Sequence, residues 1–122
     1  TVLCALAFTD AFRSGASYFG VGDPESMFDA THKFESRYDH WLIGDWRGNR
    51  AVYRVRSPLR NADQINCPVI FFQGSDDRVV PPEQSRAMVE ILDKRKLPVA
   101  YLEFEGESHG FRKADAVRQS LE

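Results

Sequence analysis

A chain of 122 residues with 43% apolar content has room for a single hydrophobic core and is too apolar for a disordered segment. Its 16 basic and 18 acidic residues are spread evenly to a formal charge of -2, which argues against nucleic acid or an anionic membrane as partner. The longest apolar stretch, residues 2–8, falls far short of the roughly 20 residues a bilayer span requires. Cys4 and Cys67 both sit beside apolar runs, as small buried hydrophobes do, which points to a reducing, cytoplasmic compartment.

The chain opens on Val2-Leu3-Cys4-Ala5-Leu6-Ala7-Phe8, which has the apolar content of a buried helix but no capping residue before it. Residues 15–21, aromatic and bounded by glycine, suit a buried strand. Asp23-Pro24-Glu25 then provides a cap and a proline for the first helical position, and Met27, Phe28, Phe34, Tyr38, Trp41 and Leu42 recur near the 3.6 period up to Gly44. A second short helix is expected over residues 49–56, closed by Ser57-Pro58, with irregular chain beyond it. Residues 69–73 form an apolar strand, and Pro81-Pro82 opens a helix with Ala87, Met88, Ile91 and Leu92 along one stripe. In that helix Glu83, Arg86, Glu90 and Lys94 face away. Leu97-Pro98 closes it, residues 99–104 form another strand, and a last helix begins around Arg112.

Strand and helix alternating on short links predict an α/β fold of parallel strands flanked by helices. Ala114, Val117 and Leu121 keep helical spacing right up to Glu122, and the uncapped start at Thr1 mirrors this. Both ends therefore read as cuts through a longer polypeptide, and no signal peptide is visible.

Reactive groups in such a sheet gather in loops at the carboxyl ends of the strands. Asp76, in GSDDRVVPPEQ, and His109, in GESHGF, each follow a predicted strand, and one helix and one strand separate them. An acid that orients an imidazole, whose second nitrogen takes a proton from a serine, is two thirds of a charge-relay hydrolase. The nucleophile is missing from its expected earlier place.

The segments TVLCALAFTDAFRSGASYFGVGD, THKFESRY, CPVIFFQGSDDRVVPPEQS and PVAYLEFEGESHGF together resemble the C-terminal half of the catalytic domain in the prolyl oligopeptidase family of serine peptidases, in its dipeptidyl aminopeptidase or acylaminoacyl peptidase flavour. The resemblance covers nearly the whole chain and implies a partial α/β-hydrolase fold, cut at both ends, from an enzyme cleaving short peptides or acyl-peptides without a cofactor. It implies that Asp76 is the triad acid and His109 the base, while Asp77 shapes the turn. It also implies that Arg78, two residues after the acid, contacts the carbonyl of a bound peptide. A solvated Arg78 paired with Asp77 or Glu83 is the alternative. The family's nucleophile lies in a Gly-x-Ser-x-Gly-Gly elbow, which this alignment puts just upstream of Thr1.

Gly106-Glu107-Ser108-His109-Gly110 satisfies the elbow pattern by itself, but the α/β-hydrolase order nucleophile, acid, histidine speaks against Ser108 as nucleophile and for a turn residue orienting the histidine loop. Ser17 has the wrong spacing. His32, Glu35, Asp39 and His40 lack the i, i+4 histidine pair of a helical metal site and read as solvated. Phe34, Tyr38, Trp41 and Trp46 read mostly as core, with a substrate-pocket wall as the alternative. Glu105 and Glu107 flank the histidine loop and read as exposed acids. A carboxylesterase or lactone hydrolase needs the same triad, and a non-catalytic module is the reading of another class. For the isolated 122 residues, an open sheet edge and the apolar first helix predict homodimerisation.

Overall fold

The structure, a computed structural model, describes residues 1–30 and 38–122. Three parallel strands lie in the order β1-β2-β3: β1 is Gly15–Tyr18, β2 is Val69–Gly74 and β3 is Val99–Phe104. Gly15 stands opposite Val69 on one side of the central strand, and Val69 opposite Val99 on the other. Helix α5, Pro82–Lys94, makes the crossover from β2 to β3, as parallel neighbours require. Helices α1 (Val2–Phe8), α2 (Pro24–Ala30), α3 (Tyr38–Ile43), α4 (Trp46–Val55) and α6 (Ala114–Leu121) complete the order.

Alternation along β2 sends Val69, Phe71 and Gln73 to one face and Phe72 to the other. The first face meets Leu3, Leu6 and Ala7 of α1, Met88 and Leu92 of α5, and Ala62 and Ile65 between α4 and β2, as one buried cluster. On the opposite face Tyr18 stacks on Phe72 with centroids 4.6 Å apart, and its hydroxyl donates to the Ser120 carbonyl of α6. Among the described residues no helix is long and apolar enough to cross a membrane.

Three local expectations differ from the structure. The stretch predicted as irregular after Pro58 holds a 3-10 helix, Leu59–Gln64, which starts where Ser57 Oγ accepts from the Arg60 amide at 3.4 Å. Arg95 pins its end, donating to the Ala62 and Ile65 carbonyls at 2.6 Å each. Such a short turn has no 3.6 repeat to betray it. The helix predicted at residues 49–56 is preceded by a further turn from Trp46, which Asp45 caps by accepting from the Arg47 amide at 3.3 Å, and the two meet at a kink where Asn49 leaves helical backbone geometry (φ -123°, ψ 23°).

Trp41 is the third case: expected in the core, it is 86% exposed, and Leu42 is exposed beside it. Periodicity counts apolar residues but not their neighbours, and the six-residue α3 packs against α4 while Trp41 and Leu42 remain outside that contact's shelter. Trp46 does pack, edge-on against the buried Tyr53 at 5.2 Å. His32, Phe34 and Glu35 lie outside the described residues, as do the side chains of Tyr38, Asp39 and His40. On α1, Leu3, Leu6 and Ala7 are buried, as the apolar content of a buried helix predicts, while Val2 and Phe8 are exposed. Among the described residues both outer strands, β1 and β3, carry an unpaired edge.

Candidate active site

Strands β2 and β3 end side by side, and the loops that follow are stitched together. The ladder runs one step past the strands, with the Ser75 amide donating to the Phe104 carbonyl at 3.1 Å. Beyond it, the Asp76 amide donates to the Glu107 carbonyl at 2.9 Å and Ser75 Oγ accepts from the Gly106 amide at 2.8 Å. Gly74 makes this contact possible. A Cβ there would stand 2.4 Å from the Glu107 oxygen and 2.6 Å from the Ser108 oxygen, both backbone atoms.

Within this joint the structure brings His109 to Asp77, not to Asp76. His109 Nδ1 lies 2.9 Å from Asp77 Oδ2. Asp77 is 3% exposed, whereas Asp76 is exposed and among the described residues accepts only from its neighbour Ser75 Oγ, at 3.2 Å. The expectation of Asp76 against the histidine is corrected on geometry. The cause is local: the Asp76 amide is drawn toward the histidine loop, which turns its side chain outward, and Asp77 follows facing the interior. Asp77 also shapes the turn as expected, its Oδ1 accepting from the Val79 and Val80 amides at 2.9 Å each. An aspartate bonding to amides two and three residues on, just before a helix opened by proline, is a turn signal present in the sequence.

Both Asp77 oxygens are thus acceptors of N–H groups. A neutral imidazole beside them places its proton on Nδ1 and leaves the Nε2 lone pair free. Nε2 makes no hydrogen bond among the described residues, and the His109 side chain is 40% exposed. Phe19 lays its ring against the imidazole at 5.1 Å, and Phe111 packs edge-on against Phe19 at 4.8 Å and Phe104 at 4.6 Å. Phe19 holds φ 52°, a left-handed conformation costly for an aromatic residue and maintained here by its packing.

The histidine loop has a second anchor. Glu107, predicted as an exposed acid, is 2% exposed and accepts from the Arg112 amide at 2.7 Å and the Lys113 amide at 2.9 Å. It closes the loop around His109 onto the start of α6. The Arg112 N–H, with help from Lys113, holds this carboxyl below its usual 4.5 against the opposing effect of burial. A carboxyl lowered by folding stabilises the native state above its ordinary value, and that contribution is lost as pH falls through the folded value. Glu107→Gln in the full-length protein is therefore expected to lower the unfolding temperature at neutral pH, with the gap to wild type closing as the pH is taken below 4.5. Thermal melts at a series of pH values check this; a gap independent of pH counts against it.

Arg78 is exposed and makes no ion pair among the described residues, with neither Asp77 nor Glu83, which pairs instead with Arg86. Counted from Asp77, Arg78 is the next residue, and the two-residue offset falls on Val79. Ser108 bridges to Gly110 within the loop and presents its carbonyl to Gly74. Ser17 is buried on β1 with its hydroxyl unpartnered. No serine hydroxyl among the described residues hydrogen-bonds to His109.

The whole chain, residues 1–122, matches the Prolyl oligopeptidase family. It is 30% identical over 119 residues to dipeptidyl aminopeptidase BIII of Pseudoxanthomonas mexicana, covering 93% of this chain and 17% of that protein. Among solved structures it superposes on a puromycin-hydrolyzing peptidase of Mycobacterium tuberculosis with a TM-score of 0.95 and 52% identity, over 98% of this chain and 18% of that one. A puromycin hydrolase structure gives a TM-score of 0.92 and 40% identity, over 96% of this chain and 18% of that one. The sheet and its helices share the α/β-hydrolase fold of these peptidases.

Proposed function

From its membership of the prolyl oligopeptidase family, we propose that this chain is part of the catalytic domain of a serine peptidase, contributing the acid and the base of its triad, Asp77 and His109. The observation that carries the reading is the 2.9 Å pair between a buried carboxylate and a half-exposed imidazole at the carboxyl ends of adjacent parallel strands. Asp77 holds the Nδ1–H tautomer and stabilises the imidazolium, and Nε2 accepts the proton of the attacking serine and returns it to the leaving amine. Water then attacks the acyl-enzyme with the same histidine as base, so no cofactor enters the cycle.

The nucleophile is supplied by a segment outside these 122 residues, in keeping with the 17–18% of its relatives that the chain spans. Arg78, exposed on the acid loop, is available to the carbonyl of a bound substrate. Short peptides and acyl-peptides are the substrate class. Because proteins 52% and 40% identical hydrolyse puromycin by their descriptions, aminoacyl amides of that kind are the first to test.

A fluorophosphonate serine probe is expected to label the full-length protein at one serine that precedes Thr1 and to leave the isolated segment unlabelled. Labelling at Ser108 or any other serine of the segment would overturn this assignment. In light scattering the isolated segment is expected to associate through an open sheet edge or the exposed Val2 and Phe8 of α1; a compact monomer would sink that part. An aminoacyl anilide and a short-chain ester compared in one assay separate peptidase from esterase.

A further inference from the structure

Asp77 is held by a buried polar chain that the hydrolytic reading leaves unused. Gln73, fully buried at the end of β2, donates from Nε2 to Asp77 Oδ2 at 3.1 Å, the oxygen that also receives His109. The same nitrogen donates to the Val80 carbonyl at 3.0 Å. On its other side Gln73 Oε1 accepts from Ser85 Oγ at 2.8 Å, and Ser85, on α5, is fully buried as well.

An amide can be set in two orientations related by a flip, and its surroundings decide between them. Flipped, Gln73 would present its oxygen to the Val80 carbonyl and the Asp77 carboxylate, two acceptors with nothing to donate. The orientation is over-determined, with Ser85 holding the oxygen end and two acceptors demanding the nitrogen end. The Asp77 carboxylate then has all its positions assigned, Oδ1 to the Val79 and Val80 amides and Oδ2 to Gln73 and His109. It cannot rotate without breaking several bonds out of reach of water, where an unpaired charge is expensive.

We propose that Gln73, locked by Ser85, is a positioning residue for the triad: it fixes the Asp77 carboxylate so that Oδ2 stays on His109 Nδ1 as the imidazole takes up and returns its proton. This rests on the hydrolytic reading above. Partners of this kind around a reactive ligand set are typically worth about 10- to 100-fold when removed.

The experiment uses the full-length protein with an aminoacyl anilide. Gln73→Leu is expected to lower kcat about 10-fold or more with KM unchanged, and Ser85→Ala to lower it less in the same direction. Both are expected to move the acid limb of the kcat/KM profile to higher pH, because a carboxylate that loses a donor holds the imidazolium proton more tightly. Wild-type kcat in both variants overturns the proposal, as does a loss that tracks a fall in unfolding temperature with the pH profile unmoved. If Gln73→Leu does not fold, Ser85→Ala decides by the same criteria. Asp77→Asn in the same assay separates the two levels: if it is inactive while Gln73→Leu and Ser85→Ala match wild type, only this inference fails, and if it is active, the hydrolytic reading fails with it.

Discussion

Asp77→Asn in the full-length protein is expected to reduce kcat by about 10^4-fold, as loss of the acid does in a serine triad, while Asp76→Asn leaves activity within about twofold of wild type, as surface substitutions do. The two aspartates are neighbours of identical chemistry, so the contrast isolates position. Asp77 is buried and within 2.9 Å of the imidazole; Asp76 is solvated and bonded to Ser75. With asparagine at position 77, an NH2 group faces either the Val79 and Val80 amides or Gln73 and His109, donors in every case. One pair is then left unsatisfied, at about 1–3 kcal/mol, or His109 is driven to its other tautomer. His109→Ala is expected to match the loss in kcat without that penalty. Steady-state kinetics beside thermal unfolding separate the effects. Equal losses for Asp76→Asn and Asp77→Asn would refute the assignment, and a large loss at Asp76 alone would restore the pairing expected from sequence.

Gly74→Ala is expected to impair turnover by about 100-fold, the scale of a 1 Å misplacement in a catalytic array, and to destabilise the protein by about 1–3 kcal/mol through overpacking. Its added Cβ would meet the Glu107 and Ser108 carbonyl oxygens at 2.4 and 2.6 Å, and neither is the end of a side chain that can swing away. One of the two loops must retreat. The bond from the Asp76 amide to the Glu107 carbonyl is the first to lengthen, and His109, two residues beyond Glu107, moves with it. The measurement is kcat and KM with an anilide substrate together with thermal melts. Full activity in Gly74→Ala would mean that the two loops are not coupled through this contact.

Much of the scaffold was legible in the residues because its elements are periodic or punctuated. Pro81-Pro82 and Leu97-Pro98 bracket α5, the apolar runs of β2 and β3 follow their own breakers, and one helix between them dictates parallel pairing. On α5 the exposed faces of Glu83, Arg86, Glu90 and Lys94 are as expected. Of its expected stripe, Met88 and Leu92 are fully buried, whereas Ala87 and Ile91 are only partly so. Besides the exposed Trp41 and the short 3-10 turn, what escaped was polar. Gln84 and Ser85 are buried beside that stripe, Gln84 accepting from the Gly22 and Asp23 amides at 3.1 and 2.8 Å and Ser85 donating to Gln73. Glu107 was misjudged for the same reason. Whether a polar side chain is solvated or satisfied inside depends on partners far along the chain, and no local pattern encodes them.

The parallel α/β scaffold, the two loops that follow β2 and β3, and the position of His109 in the second of them were legible in the residues, since these follow from hydrophobic period, proline and glycine placement and strand-to-loop order. Only the tertiary structure decided which of two adjacent aspartates meets that imidazole. A carboxylate one position along the chain from another differs from it only in the direction its side chain leaves the backbone. That direction is set by the Asp76 amide binding the Glu107 carbonyl and by Gln73, Val79 and Val80 gathering the Asp77 oxygens.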